Sequence, residues 1–230
     1  MPVMDSGTPS FNAIVLAGGR SSRLGGTPKA LLQSSGRTLL AVALEAASGA
    51  AGRAVAGPPQ LQEVLEAGGI PALLIREDPP FSGPAAAVAA AWTALAEQDE
   101  QAGRRPPEWT LVLACDMPFI SRAVNALLSE ASGGTRGPVP LSLLAVDESG
   151  REQPLAGLYR TAHLGAAIGF FDRPAGLENL SMKRLLARVQ YRSVAVPPHS
   201  TTDIDTWEDA TRWSVDTGSA GDAEHPATRN

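Results

Sequence analysis

With 230 residues and a formal net charge of −5, the chain has room for one generous domain and lacks the basic surplus of a general polyanion binder. Its single cysteine, Cys115, excludes an intrachain disulfide and a multi-cysteine zinc site, and fits a reducing compartment such as the cytoplasm. No apolar run approaches the ~18 residues of a membrane span and no basic leader precedes an apolar segment, so a soluble, non-exported protein is expected.

In chain order, residues 1–10 are small, polar and unpatterned and read as a flexible tail. Residues 12–17 form a continuous apolar run, as expected of a strand covered on both faces. A glycine- and arginine-rich loop follows. Thr38 caps a helix over 39–48, with Gly49 beyond. Weaker strand candidates at 53–57 and 71–76 flank a helix that Pro59 opens and Gly68 closes. Ser82 or Gly83 precedes Pro84 at the first position of an Ala-rich helix. Residues 109–115 are a second fully apolar strand, and Ser121 reads as the cap of the next helix.

In the later half, runs at 141–146 and 154–160 flank DESGREQ, either a long hairpin connection or part of an inserted flap. Helical patterns at 161–171 and 180–189 lead to a short strand at 191–196. Thr206 caps a last helix at 207–213, and a second flexible tail is expected from 214 to 230. The alternation of strands and helices predicts an α/β fold, a doubly wound, mostly parallel, Rossmann-like sheet in a three-layer α/β/α arrangement, with a single domain over 11–213. Ligands in such sheets sit at the carboxyl ends of the strands.

The charge pattern localises the chemistry. Between Asp5 and Glu45 the chain carries no acidic residue, yet it holds Arg20, Arg23, Lys29 and Arg37. One reading is an acid-poor solvated face; the sharper one is an anion cradle. After the first strand, Gly18 and Gly19 let peptide N–H groups converge on an oxygen-rich ligand, and Lys29 supplies a point charge for phosphate. Neither a Walker A loop nor G-x-G-x-x-G is present. Asp116 ends the second apolar strand; its carboxylate suits magnesium, or alternatively serves as a turn carboxylate before Met117 and Pro118. Cys115 reads as a small buried residue. Asp203 and Asp205, two apart, would point the same way in an extended segment, or else form a solvated acidic approach to the last helix. His163, His199 and His225 show no metal-ligand spacing. The four tryptophans fall at helix or strand ends and suit packing better than nucleic-acid stacking.

These residues carry a family resemblance. LAGGRSSRLGGTPKAL (16–31) resembles the signature loop of the nucleotidyltransferases, most closely that of molybdenum cofactor guanylyltransferases. ACDMPFIS (114–121), EDPPFSGPAAAV (77–88), QPLAGLYR (153–160) and DIDTWEDA (203–210) are similar to further motifs of that family, in order along the chain. The resemblance implies transfer of GMP from GTP to the phosphate of a molybdopterin carrying molybdenum, with release of pyrophosphate and with Mg2+ as cofactor. It implies a base site on Leu16, Ala17, Gly18 and Gly19; phosphate contacts from Arg23 and Lys29; a nucleoside contact from Asp78, with Glu77 as competitor; and Asp116 as metal ligand, to which the acidic 203–205 segment adds Asp205 as a second metal ligand. Arg23, Lys29 and Asp116 are the expected catalytic set. Enzymes that load molybdenum or accept the finished cofactor are the implied partners, with no nucleic acid or membrane among them.

This chain departs from the family pattern in places. Pro28 stands where Asp is common, Ala85–Ala87 replaces a common Leu-Ala-Gly, Trp207 replaces proline, and Asp203 and Asp205 stand where asparagines are usual. A CTP-dependent or sugar-phosphate nucleotidyltransferase, and a catalytically silent nucleotide-binding module, remain as alternatives.

Overall fold

The computed structural model describes residues 9–19, 22–133, 140–171 and 176–217. Strand β1 (Phe11–Leu16) leads through two 3-10 turns, Ser22–Leu24 and Lys29–Leu31, into β2 (Gln33–Ser34), β3 (Arg37–Thr38) and helix α1 (Leu39–Ala46). Next come β4 (Arg53–Ala56), α2 (Leu61–Gly68), β5 (Leu73–Ile75), α3 (Pro84–Gln101), β6 (Trp109–Ala114) and α4 (Ile120–Ser132). The second half adds β7 (Ser142–Val146), β8 (Glu152–Arg160), α5 (Thr161–Phe171), α6 (Met182–Leu186), β9 (Tyr191–Ala195), α7 (Trp207–Arg212) and β10 (Val215–Asp216).

Seven strands form one sheet in the order β5-β4-β1-β6-β8-β7-β9. β1 runs parallel to β4 and β6, β7 runs parallel to β9, and β8 is antiparallel to both its neighbours. The chain winds outward from β1 through β4 to β5, then crosses back to lay β6 on the other side of β1. That reversal opens a crevice beyond the carboxyl ends of β1 and β6, the usual ligand position in such sheets.

Period-two alternation sends neighbouring β1 residues to opposite layers. Ile14 and Leu16 pack with Val88 of α3, Leu164 of α5 and Leu185 of α6. Ala13 packs with Val42 of α1 and Leu127 of α4, and Val15 with Leu40 of α1 and Leu61 of α2. The three-layer α/β/α arrangement expected from the sequence is the observed one.

Local signals place most helix starts. Thr38 Oγ1 accepts from Ala41 N at 3.1 Å, Pro84 occupies the first turn of α3, and Thr206 closes a reciprocal capping box with Asp209. Ser121 does not cap α4: the helix begins one residue earlier and Phe119 holds the cap position without a side-chain bond. DESGREQ is the turn of the β7–β8 hairpin, tied by Asp147 N donating to Arg151 O at 3.1 Å. The second tail begins later than expected, because Val215 and Asp216 pair with Ser34 and Gln33 and Val215 is buried. Trp92 is not at an element end; it sits within α3 against Gly165, where an added Cβ would come within 2.5 Å of the indole. Residues 1–8 and 218–230, including His225, lie outside the described residues. Among the described residues no helix is long and apolar enough to cross a membrane.

Candidate active site

The crevice at the switch point has a volume of about 300 Å3. Leu16, Gly18 and Gly19 from the end of β1, Asp116 from the end of β6, and Pro84 and Ala87 from the first turns of α3 line it, together with Lys29 and Leu155. The pairing of β1 ends here: Leu16 O accepts from Cys115 N at 3.0 Å and Ala17 N donates to Ala56 O at 2.8 Å. Gly19 then turns at φ 138°, a backbone state that residues with a Cβ rarely adopt.

At the mouth, Lys29 Nζ lies 2.7 Å from Asp116 Oδ2 and 2.5 Å from Asp205 Oδ1. Arg23, mostly exposed, reaches Asp205 Oδ2 at 3.4 Å. Three chain segments far apart in sequence meet at this point, and a small apolar cluster beneath explains how. Leu24 follows Arg23, Leu32 follows the turn bearing Lys29, and Ile204 precedes Asp205; all three are buried together with Leu39, Ala210 and Val215. Ile204 N also donates to Asp116 O at 3.0 Å, which fastens the 203–205 segment to the end of β6. Asp205 N and Thr206 N in turn donate to Asp209 Oδ2 at 3.2 and 2.9 Å, so the cap of α7 fixes the direction of Asp205.

Electrostatics follow from this crowding. Burial alone would lower the Lys29 pKa, but the Asp116 and Asp205 carboxylates outweigh it and hold it above the ordinary value. Partial loss of hydration, then the nearby Asp116 and Asp205 charges, raise Asp203. Burial pushes the Cys115 thiol well up, which keeps it protonated and inert as a nucleophile.

The carboxylate pair fits a hard divalent cation. Oxygens of Asp116 and Asp205 converge on one positive charge, so their common focus is a cation position built of hard donors. Among the described residues no group of three or more His, Cys, Asp or Glu could hold a metal. Two carboxylates suffice for magnesium, which is ordinarily held by one or two of them plus substrate phosphates and water.

The other expected residues divide. Ala17 turns its side chain into the core against Val15 and Val55, so only its main chain is left for the expected base contact. Asp78 does not line the crevice; it lines a separate hollow of about 520 Å3 with Ser82, Thr93 and Glu178. Glu77, one residue earlier, lines both. Residues 202–205 form an irregular segment rather than a strand; Asp205 pairs with Lys29, while Asp203 lies close enough to feel the Asp116, Asp205 and Lys29 charges. Arg37 pairs with Glu45 on α1, and Arg20 lies outside the described residues. His199 pairs with Glu148 at 3.0 Å. Among the crevice residues without a site role in the sequence are Phe81 and Leu155. Both sit in motifs the sequence already offered, QPLAGLYR for Leu155 and EDPPFSGPAAAV for Phe81, but no periodicity singles out either side chain.

Comparison with known proteins bears on the family and the fold. A family model described as the MobA-like NTP transferase domain matches residues 13–195. A protein of Rhodopirellula baltica named "Probable molybdenum cofactor guanylyltransferase" is 30% identical over 203 residues, covering 86% of this chain and 89% of the relative. The crystal structure of molybdopterin-guanine dinucleotide biosynthesis protein A from Archaeoglobus fulgidus superposes with a TM-score of 0.58 at 19% identity, over 88% of this chain and 96% of that one; this likeness concerns the fold. A 2-C-methyl-D-erythritol 4-phosphate cytidylyltransferase from Thermus thermophilus gives a TM-score of 0.57 at 25% identity, over 89% and 97% of the two chains.

Proposed function

The chain belongs to the MobA-like NTP transferase family, and from that premise we propose that this nucleotidyltransferase moves GMP from GTP to the phosphate of a molybdopterin carrying molybdenum. Pyrophosphate leaves and the guanine dinucleotide form remains. The observation that carries the reading is the Lys29 ammonium set between Asp116 and Asp205 at the mouth of the switch-point crevice. Guanylyl transfer is the activity in the name of the Rhodopirellula relative. Gly18 and Gly19 keep the loop segment that the resemblance associates with guanine.

Each residue has a physical task. The glycine lip brings main chain close to an oxygen-rich ligand without side-chain interference. Lys29 is a compact charge for the phosphate chain, and Arg23 adds a second from the exposed rim. Asp116 and Asp205 would hold Mg2+, which would supply positive charge to offset that developing on the phosphates in transfer. The acceptor's phosphate oxygen is the nucleophile, so no side chain needs to attack. Leu155 of β8 forms the apolar wall on the acceptor side. Enzymes that load molybdenum or receive the finished cofactor are the partners the family resemblance implies, and the cytoplasm is the compartment we assign.

Incubating the protein with GTP, Mg2+ and candidate phosphorylated acceptors, then weighing the product, tests the reading. A product heavier than molybdopterin by one GMP residue supports it. Tighter binding of CTP than GTP would overturn the choice of base.

A further inference from the structure

Phe81 is an anomaly in two respects. Its φ is 67°, a left-handed backbone state that is unfavourable for a bulky residue. Its side chain is also 53% exposed, so core packing does not compensate.

The loop around it is nevertheless tied at three points. Phe81 N donates to Glu77 Oε1 at 3.0 Å. The hydroxyl of Ser82, itself buried, donates to Pro79 O at 2.5 Å. Ser82 O accepts from Asn179 N at 2.7 Å, after which Gly83 turns at φ 94° into α3. Bonds from outside the residue thus over-determine its conformation, the condition under which strain persists at functional positions. The ring these bonds present is a wall of the same crevice that Gly19, Lys29 and Asp116 line, and the Arg76 guanidinium lies 5.7 Å from its centroid.

We infer that Phe81 is a stacking platform for the planar base of the nucleotide, a residue that governs affinity for ring-bearing ligands and leaves phosphate recognition to Lys29. The inference rests on the nucleotide reading above and deepens it. Stacking of a base on an aromatic face is worth about 5- to 150-fold in affinity and tolerates any base, because every base has a π-face. Phe81 therefore separates nucleotides from bare polyphosphates, while the choice among bases stays with the main chain of the glycine loop.

Calorimetric titration of the full chain in Mg2+ with GTP, and separately with inorganic triphosphate, tests this on wild type, Phe81→Leu, Phe81→Gly and Phe81→Tyr. The Leu and Gly variants are expected to bind GTP about tenfold more weakly, the Tyr variant to bind it as wild type does, and triphosphate to bind all four alike. Phe81→Gly, freed of the left-handed strain, should melt at or above the wild-type temperature. Unchanged GTP affinity in the Leu and Gly variants, or an equal loss for triphosphate, would overturn the platform while leaving nucleotide binding intact. Wild-type protein that binds neither ligand would instead bring down the nucleotide reading, and the platform with it.

Discussion

Replacing Lys29 by methionine keeps an unbranched apolar stem and removes the charge that sits between two carboxylates. The ammonium is 2.7 Å from Asp116 and 2.5 Å from Asp205, and the three side chains retain 22%, 18% and 44% of their surface in the order Lys29, Asp116, Asp205. At such separations each attraction is roughly 6 kcal/mol at an effective dielectric of about 20, before desolvation is subtracted. Truncating one partner of a fully buried pair costs about 3–5 kcal/mol, and a fully exposed pair is worth about 0–1. Partial exposure places Lys29→Met between them, at about 1–3 kcal/mol of lost stability. For a domain of this size that is a fall of roughly 3–10 °C in melting temperature. Added Mg2+ should then raise the melting temperature of the variant more than that of wild type, because the cation meets two carboxylates with no ammonium competing for them. Turnover of GTP should drop by about 10²–10³, the usual cost of removing one preorganised group that meets developing charge. Thermal unfolding with and without Mg2+ reads the first two effects. A variant that melts with wild type and responds identically to Mg2+ would refute the claim that Lys29 neutralises this pair.

Asp116→Asn preserves shape while removing a formal charge from the cation position, so pyrophosphate release should fall by at least about 10²; a rate equal to wild type would remove Asp116 from the metal site. Thr206→Ala breaks the capping box that orients α7 and should cost about 1 kcal/mol, read as a lower urea midpoint at unchanged m-value. Because Asp205 precedes that cap, the Mg2+ concentration for half-maximal activity should rise with it, and a stability loss with no change in Mg2+ requirement would detach Asp205 from the site. The Ser149 hydroxyl, together with the backbone N–H groups of Arg151 and Ser149 and the Gln153 side chain, holds the Asp147 pKa down at about 2, against an ordinary 3.8. A depressed folded-state pKa contributes stability that is present above the ordinary value and lost as pH falls through about 2. Asp147→Asn should therefore flatten the acid limb of the stability curve, and identical acid limbs for the two proteins would contradict this assignment.

Much of the site was legible because its physics is local. Leu16, Gly18, Gly19, Lys29 and Asp116 reach the crevice as their motifs implied, since a loop after a buried strand and a carboxylate at the end of another must emerge at the same sheet edge. The misreadings lay where one residue of displacement changes direction. Of the adjacent pair, Glu77 lines both hollows and Asp78 only the outer one, and neither composition nor spacing distinguishes them. Ser121 has the chemistry of a cap, yet α4 starts before it, because Ile120 is drawn into the core with Val124 and Leu127.

The amino-acid order alone determined the strand and helix alternation, the caps at Thr38 and Thr206, and the acid-free loop after β1, for these depend on neighbours within a few residues along the chain. Tertiary structure decided that Lys29 meets Asp205 across a sequence separation of 176, that β8 runs against the rest of the sheet, and that Val215 closes the cluster under the site. The first and last of these come with burying Leu24, Leu32 and Ile204 against one another, a gain that exists only once distant segments have been brought together.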